Sequence, residues 1–293
     1  MWYNLYVFGG DLVSQKSYDG KPTLYLVPTP IGNLGDMTYR GVETLKNSEV
    51  IFSEDTRESK KLLDYFDIKK KLIPCHKFNE DEVYLKVLDY LNQGFDVSII
   101  TDRGTPSISD PGYVSVFKVI NSGFNVVCLP GATAFTPAIV NSGLNPNHFL
   151  FYGFLNSKKS AKKKELEELK LLKYTIIFYE SPFRVIETLE LIKEIFGNRN
   201  ISISREISKK HEEIYRGTVE SVIEELPDPK GEFVIVVEEN KTEENYDDID
   251  IIDHIKMLVE KGTRDKDAIK EVAKLHNMPK NEVYKMYLEN KEK

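Results

Sequence analysis

Cysteine is scarce in this chain: Cys75 and Cys128 are the only two among 293 residues, and no C-x-x-C occurs. Each lies in an apolar run, so both are expected to be buried, reduced thiols suited to the cytosol rather than a disulfide framework. The five histidines, at 76, 148, 211, 254 and 276, are scattered. With no H-E-x-x-H, no metal-ligand set is visible and none is expected. G-x-G-x-x-G after a strand and G-x-x-x-x-G-K-[ST] are both missing, which disfavours an ordinary dinucleotide site and a P-loop. G-x-S-x-G is missing too, so no serine-hydrolase elbow is signalled. No run approaches the ~18 consecutive apolar residues of a membrane helix. The start of the chain lacks a basic segment followed by an apolar one, so no signal peptide is expected. Positive charge is in deficit: Lys and Arg number 40 against 47 Asp and Glu, a net charge of −7. Bulk polyanion binding is thereby excluded, and any nucleic-acid contact must come from local basic patches.

What is present describes a globular chain. Hydrophobic residues make up 41% and charged residues 30%, and the length suits roughly two domains at ~150 residues each. Residues 1–22 are read as a tail outside the fold. Strand-like apolar runs at 24–27, 50–53, 72–74, 97–101 and 126–129 alternate with helical spacing at 38–46, 60–66, 80–91, 110–121 and 132–140. That alternation predicts a parallel α/β sheet over 23–145. Loop formers cluster at 143–148, and a second α/β domain is expected over 146–240. There strands at 149–152, 175–179, 201–205, 213–216 and 233–237 partly adjoin one another, which predicts a mixed sheet. Residues 241–253 hold six acids against one Lys, a solvated linker by composition. A small helical domain is expected to follow, completing the segment 241–293.

The polar motifs fall at the predicted carboxyl ends of strands, where ligands bind in open α/β sheets. The first strand runs into a loop stiffened by Pro28 and Pro30 and freed by Gly32. The second runs into Ser53-Glu54-Asp55-Thr56-Arg57. The fourth runs into a twelve-residue loop, 101–112, dense in Asp, Gly, Pro and hydroxyls. The fifth runs into Leu129-Pro130-Gly131-Ala132-Thr133, whose small residues let a ligand lie against the backbone.

Taken in order, LYLVPTPIGNLGD (24–36), SEDTR (53–57), TDRGTPSISDPG (101–112) and LPGAT (129–133) resemble the tetrapyrrole methylase-like methyltransferases. In the second half FYGFL (151–155), FYESPFR (178–184), SREISK (204–209), YRGTV (215–219) and GEFVIVVE (231–238) continue the resemblance. Arg103 stands where the family usually has Ala. The resemblance implies a class III methyltransferase of two α/β domains with a small helical extension. It implies S-adenosylmethionine (S-adenosyl-L-methionine) as methyl donor, bound in a cleft between the domains. Within the family it points to the subgroup that methylates a cytidine ribose 2′-hydroxyl in 16S rRNA, in the small ribosomal subunit. A cytoplasmic homodimer is implied with it.

On that basis the cofactor is expected against Pro28, Pro30 and Gly32, against Asp102, Gly104, Thr105 and Pro106, and against Pro130, Gly131, Ala132 and Thr133. From the second domain Tyr152, Gly153, Phe154 and Leu155 would close over it with Tyr179, Glu180 and Ser181. Transfer from a sulfonium needs alignment and a proton acceptor rather than a metal or a covalent nucleophile. Asp102, Glu54 and Glu180 are candidate acceptors. Arg57 and Arg184 are candidate phosphate or carboxylate clamps, with internal salt bridges as the alternative. Residues 156–173 carry seven Lys and three Glu. Lys158, Lys159, Lys162, Lys163 and Lys164 in that segment are therefore expected to face RNA, together with Arg184 and Arg205. A family member acting on a tetrapyrrole or a protein side chain, or a non-enzymatic RNA-binding assembly factor, would be the rivals.

Overall fold

The structure, a computed structural model, describes residues 14–226, 230–241, 250–260, 262–276 and 278–291. The chain divides into two compact units, Met1–Asn240 and Lys241–Lys293. In the first unit a parallel sheet is built from β1 (Thr23–Leu26), β2 (Val50–Ser53), β3 (Lys71–Pro74), β4 (Val97–Ile100) and β5 (Asn125–Cys128). Their order is β3-β2-β4-β1-β5, every neighbour parallel. Helices α1 (Tyr39–Asn47), α2 (Thr56–Tyr65), α3 (Glu80–Asn92), α4 (Tyr113–Asn121) and α5 (Phe135–Ser142) connect or follow the strands. Every residue of β2 and β4 is buried, as expected for strands covered on both faces by helices. The order places β1 and β4 side by side although two strands separate them in sequence. Their following loops therefore leave the sheet edge as neighbours and open a crevice there.

The second sheet comprises β6 (Phe149–Phe154), β7 (Thr175–Glu180), β8 (Asn200–Arg205), β9 (Glu213–Thr218) and β10 (Phe233–Val237), in the order β6-β7-β10-β8-β9. Only β6 and β7 run parallel; the other pairs are antiparallel, the mixed sheet that adjoining strands predict. One face packs on α6 (Lys159–Leu169), α7 (Val185–Phe196) and α8 (Val219–Glu225), through a core that includes Leu166, Phe178, Leu189, Ile203 and Val222. The other face receives α5, whose Ala138 and Ile139 join Ile177, Val234 and Val236. Helix α5 is thus the joint between the two sheets.

The second unit holds α9 (Ile251–Glu260), α10 (Asp265–Leu275) and α11 (Lys280–Lys291), around Ile255, Ile269, Val272 and Val283. Most of the acidic stretch before it lies outside the described residues. Among the described residues no helix is long and apolar enough to cross a membrane.

Two expectations are corrected. Cys75 is buried, but Cys128 is exposed, because it ends the edge strand β5. Residues 15–19 do not stand apart from the fold. The Gln15 amide donates to Val126 O (2.9 Å) and accepts from Val126 N–H (2.8 Å), and Asn125 donates to Asp19 (2.8 Å). Edge-strand groups that would otherwise need water are satisfied in this way. Residues 1–13 of the expected tail lie outside the described residues.

Candidate active site

Three loops at the carboxyl edge of the first sheet are tied to one another by backbone and hydroxyl hydrogen bonds. Thr29 and Gly104 exchange N–H···O bonds of 2.9 Å each, an isolated antiparallel bridge between the loops after β1 and β4. The Thr29 hydroxyl donates to Thr101 O (3.0 Å), and the Thr105 hydroxyl donates to Ala132 O (3.0 Å), bringing in the loop after β5. Gly131 approaches Pro28 so closely that a Cβ would lie 2.5 Å from the proline Cβ. Gly104 takes φ +82°, the left-handed region that favours glycine. Ser107 (φ 71°) and Ser109 (φ 65°) hold the same conformation without being glycine. Such strain persists only where the surroundings impose it, and it clusters at functional loops.

Opposite these loops stand the ends of β7 and β10 and the segment after β8. Between them lies a cleft cavity of about 290 Å³, near the lower end of the usual range for ligand sites. Of the residues expected to touch a cofactor, Gly104, Thr105, Thr133, Phe154, Tyr179, Glu180 and Ser181 line it. Pro28, Pro30, Gly32, Pro106, Pro130, Gly131, Ala132 and Gly153 are not among its lining residues. Pro28, Gly131 and Ala132 support the wall through the contacts just described. Tyr152 and Leu155 belong elsewhere. Leu155 is in the core of the second sheet, and the Tyr152 ring meets Phe178 edge-on at 5.7 Å. A bulge between Phe151 and Gly153 shifts the register of β6. It leaves Phe151 and Phe154, three apart, both against Tyr179. Burial pushes the Tyr179 phenol up to about 12, and its oxygen accepts the Phe135 N–H (3.3 Å).

The expected proton acceptors separate. Glu180 is buried and fully engaged: Arg184 (2.6 and 2.8 Å), the Ser181 N–H (2.8 Å) and the Thr188 hydroxyl (2.7 Å) all donate to it. It is therefore corrected from acceptor to structural hub, with Arg184 in an internal salt bridge. Asp102 accepts the Asp55 N–H (3.0 Å), fixing the loop after β2. Asp55 caps α2 and grips Arg57 with both oxygens (2.8 and 3.2 Å), which holds its carboxyl down at about 2. Arg57 thus points to solvent on its own helix, outside the cavity, and the alternative of an internal salt bridge replaces the expected clamp and any catalytic part for Arg57.

Glu54 and Asp102 line a second, acidic cavity of about 300 Å³ together with Glu58, Arg103, Asp110 and Glu232. Burial is the first cause holding both Glu54 and Asp102 above the ordinary carboxylate range. Arg103, Asp110 and Glu232 line both cavities. Arg103 reaches across the cleft to an ion pair with Glu232, whose other oxygen takes Lys209 (2.9 Å). Ser208, on the segment after β8, bonds Asp36 after β1. Asp110, Ile207, Glu232 and Phe233 are cavity residues not nominated from sequence, although all lie inside the quoted motifs.

The basic residues also divide. Lys162 was expected to face RNA; the structure places it wholly inside, bonded to Thr188 (2.9 Å) and Glu187 (3.3 Å). That expectation is corrected, because Lys162 shares the buried stripe of α6 with Leu166 and Leu169. Arg205 is held by Lys230 O and Glu213, and Lys163 by Glu194. Lys158, Lys159 and Lys164 are exposed.

Two sheets thus face each other across a cleft walled by small-residue loops. The sequence profile of the Tetrapyrrole (Corrin/Porphyrin) Methylases matches residues 23–223. The "Ribosomal RNA small subunit methyltransferase I" of Bacillus subtilis is 44% identical over 284 residues, covering 93% of this chain and 97% of that protein. The protein of the same name from Halalkalibacterium halodurans is 42% identical, covering 94% and 98%. Two solved structures share the fold. Uroporphyrin-III-C-methyltransferase from Thermus thermophilus has a TM-score of 0.51 at 18% identity, covering 74% of this chain and 94% of that one. The methyltransferase CobJ has a TM-score of 0.56 at 16% identity, covering 75% and 94%. The chain belongs to the tetrapyrrole methylase family.

Proposed function

We propose that this protein transfers a methyl group from S-adenosylmethionine to the ribose 2′-hydroxyl of a cytidine in 16S rRNA. The observation that carries this is the cleft cavity between the two sheets, in a chain so similar to proteins named ribosomal RNA small subunit methyltransferase I. The donor supplies an electrophilic methyl carbon on a sulfonium. This chain's own residues then need to hold it, align an oxygen with it and exclude water. The Thr29–Gly104 bridge and the Gly131–Pro28 contact make a stiff wall on one side; Phe154 and Tyr179 offer aromatic faces on the other.

The thiols argue against a pyrimidine C5 acceptor. Methylation at a pyrimidine C5 needs a thiolate nucleophile. Burial, with Glu80 and Glu54 nearby, pushes the Cys75 thiol up to about 12, and Cys128 does not line the cavity. On the RNA side Lys158, Lys159 and Lys164 supply exposed charge beyond the end of β6. Phe183, 96% exposed beside cavity-lining Pro182, offers a stacking face for an unpaired base. The reading carries with it a homodimer working in the cytoplasm.

The test is incubation with methyl-labelled S-adenosylmethionine and naked 16S rRNA, 30S particles or a corrin. Label is expected on RNA or 30S particles, and lost when the target cytidine carries a 2′-deoxy substitution. Label on the 2′-deoxy RNA at the normal rate, or on the corrin alone, refutes the assignment.

A further inference from the structure

A hydroxyl acceptor must lose its proton, and the groups nominated from sequence are otherwise occupied. Glu180 is saturated by cations and hydrogen bonds, Asp102 holds the Asp55 N–H, and Glu54 lines only the acidic cavity. Asp110 differs. It is the one carboxylate besides Glu232 that lines both cavities, and Glu232 is tied to Arg103 and Lys209. Among the described residues no hydrogen bond or ion pair engages the Asp110 carboxylate. Its place is imposed by its loop. Left-handed Ser109 precedes it, Pro111 and Gly112 (φ +132°) follow, and the Ser107 N–H is closed onto Pro111 O (3.1 Å).

We propose that the Asp110 carboxylate accepts the ribose 2′-hydroxyl proton during methyl transfer, and that the acidic cavity behind it leads the proton to solvent. This rests on the reading of the chain as a ribose methyltransferase. The ribose 2′-oxygen bonds to the methyl carbon as the carbon–sulfur bond breaks, and that electron pair stays on sulfur as a thioether. The O–H proton passes to Asp110 and then to water.

The groups facing Asp110 favour the role. Glu54 after β2, Glu58 on α2 and Asp102 on its own loop are acidic. Arg103 is spent on Glu232, and Tyr179 on β7 stays neutral. Burial first, then Glu54 and Asp102, push the Asp110 carboxyl up to about 7, where a base is about half ionised and strong enough to work near neutral pH.

The experiment measures kcat and kcat/KM against pH for wild type, D110N, D110E and E54Q, with donor affinity followed by calorimetry. The wild type, assayed on 2′-hydroxyl and 2′-deoxy RNA, tests the parent reading on its own; if it fails, both fall. Otherwise D110N is expected to lose ~10²–10⁴-fold in kcat, with donor affinity within about twofold, and D110E to recover part of it. The wild-type acid limb of kcat/KM should lie near pH 7. In E54Q it should move to lower pH, since a negative neighbour that favours the protonated form is gone. A purely structural Asp110 would not move that limb. D110N turning over within about threefold of wild type, or an unmoved limb in E54Q, overturns the proposal.

Discussion

Glu180→Gln separates a structural hub from a catalytic base. The substitution keeps the shape but removes the charge that faces two cations. Arg184 is 23% exposed and can turn toward water; the Lys162 ammonium is 0% exposed and sits 4.0 Å from Glu180. Stranding one member of a buried ion pair costs ~3–5 kcal/mol. Glu187, 37% exposed and 3.3 Å from Lys162, remains as a partner, so the lower end, about 3 kcal/mol, is expected. Lys162→Met removes the ammonium and leaves Glu180 with Arg184, Ser181 and Thr188, so about 1 kcal/mol is expected. In the double variant no ammonium is stranded. Its cost should be about 2 rather than 4 kcal/mol, a coupling within the range seen for contacting residues. Urea unfolding at constant m measures all three. Additivity within ~0.5 kcal/mol would refute the network. So would a Glu180→Gln protein of wild-type stability that has lost a hundredfold in turnover, which would restore Glu180 as proton acceptor.

Gly131→Val should lower S-adenosylmethionine affinity at least tenfold, ~1.4 kcal/mol, with circular dichroism unchanged, because its Cβ would strike the Pro28 ring. Gly104→Val should do likewise through backbone strain of ~1–2 kcal/mol, since its nearest neighbours, at 3.5 and 3.8 Å, leave room; full affinity in both by calorimetry would move the donor site. Reversing Lys159 and Lys164 to Glu should flatten the salt dependence of RNA binding by ~0.7 per lost phosphate contact, and an unchanged slope would remove α6 from the RNA surface. Asp110 also predicts a stability effect. The folded carboxyl binds its proton more tightly than the unfolded one, so stability declines as pH rises from about 4 to about 7. D110N should therefore gain over wild type at pH 8 relative to pH 4, on the order of 1 kcal/mol after solvent screening, in urea titrations at the two pH values.

Apolar runs located all ten strands of the described residues to within two residues at either end, because a buried strand is a local pattern. Helix starts were less legible. Helix α2 begins at Thr56 because Asp55 caps it, and α4 waits until Tyr113 because Asp110, Pro111 and Gly112 form the loop end. Motif order located the loops that wall the cleft cavity, but not which side chains face it. The β6 bulge turns Tyr152 into the core and Phe154 to the cavity, and alternation alone assigns both to one face. The position of Lys162 was readable in principle, four and seven residues before Leu166 and Leu169, but its charge argued for the surface. Asp110 looked like one polar residue among many in its loop. Only the fold sets Glu54 and Asp102 around it while leaving its carboxylate unengaged.

The Arg103–Glu232 pair spans the cleft in water, with side chains 53% and 60% exposed. Such a latch holds weakly and loosens as electrolyte rises. Raising the ionic strength is thus expected to release Arg103 first, leaving Glu232 to Lys209 and a mobile guanidinium at the rim of both cavities.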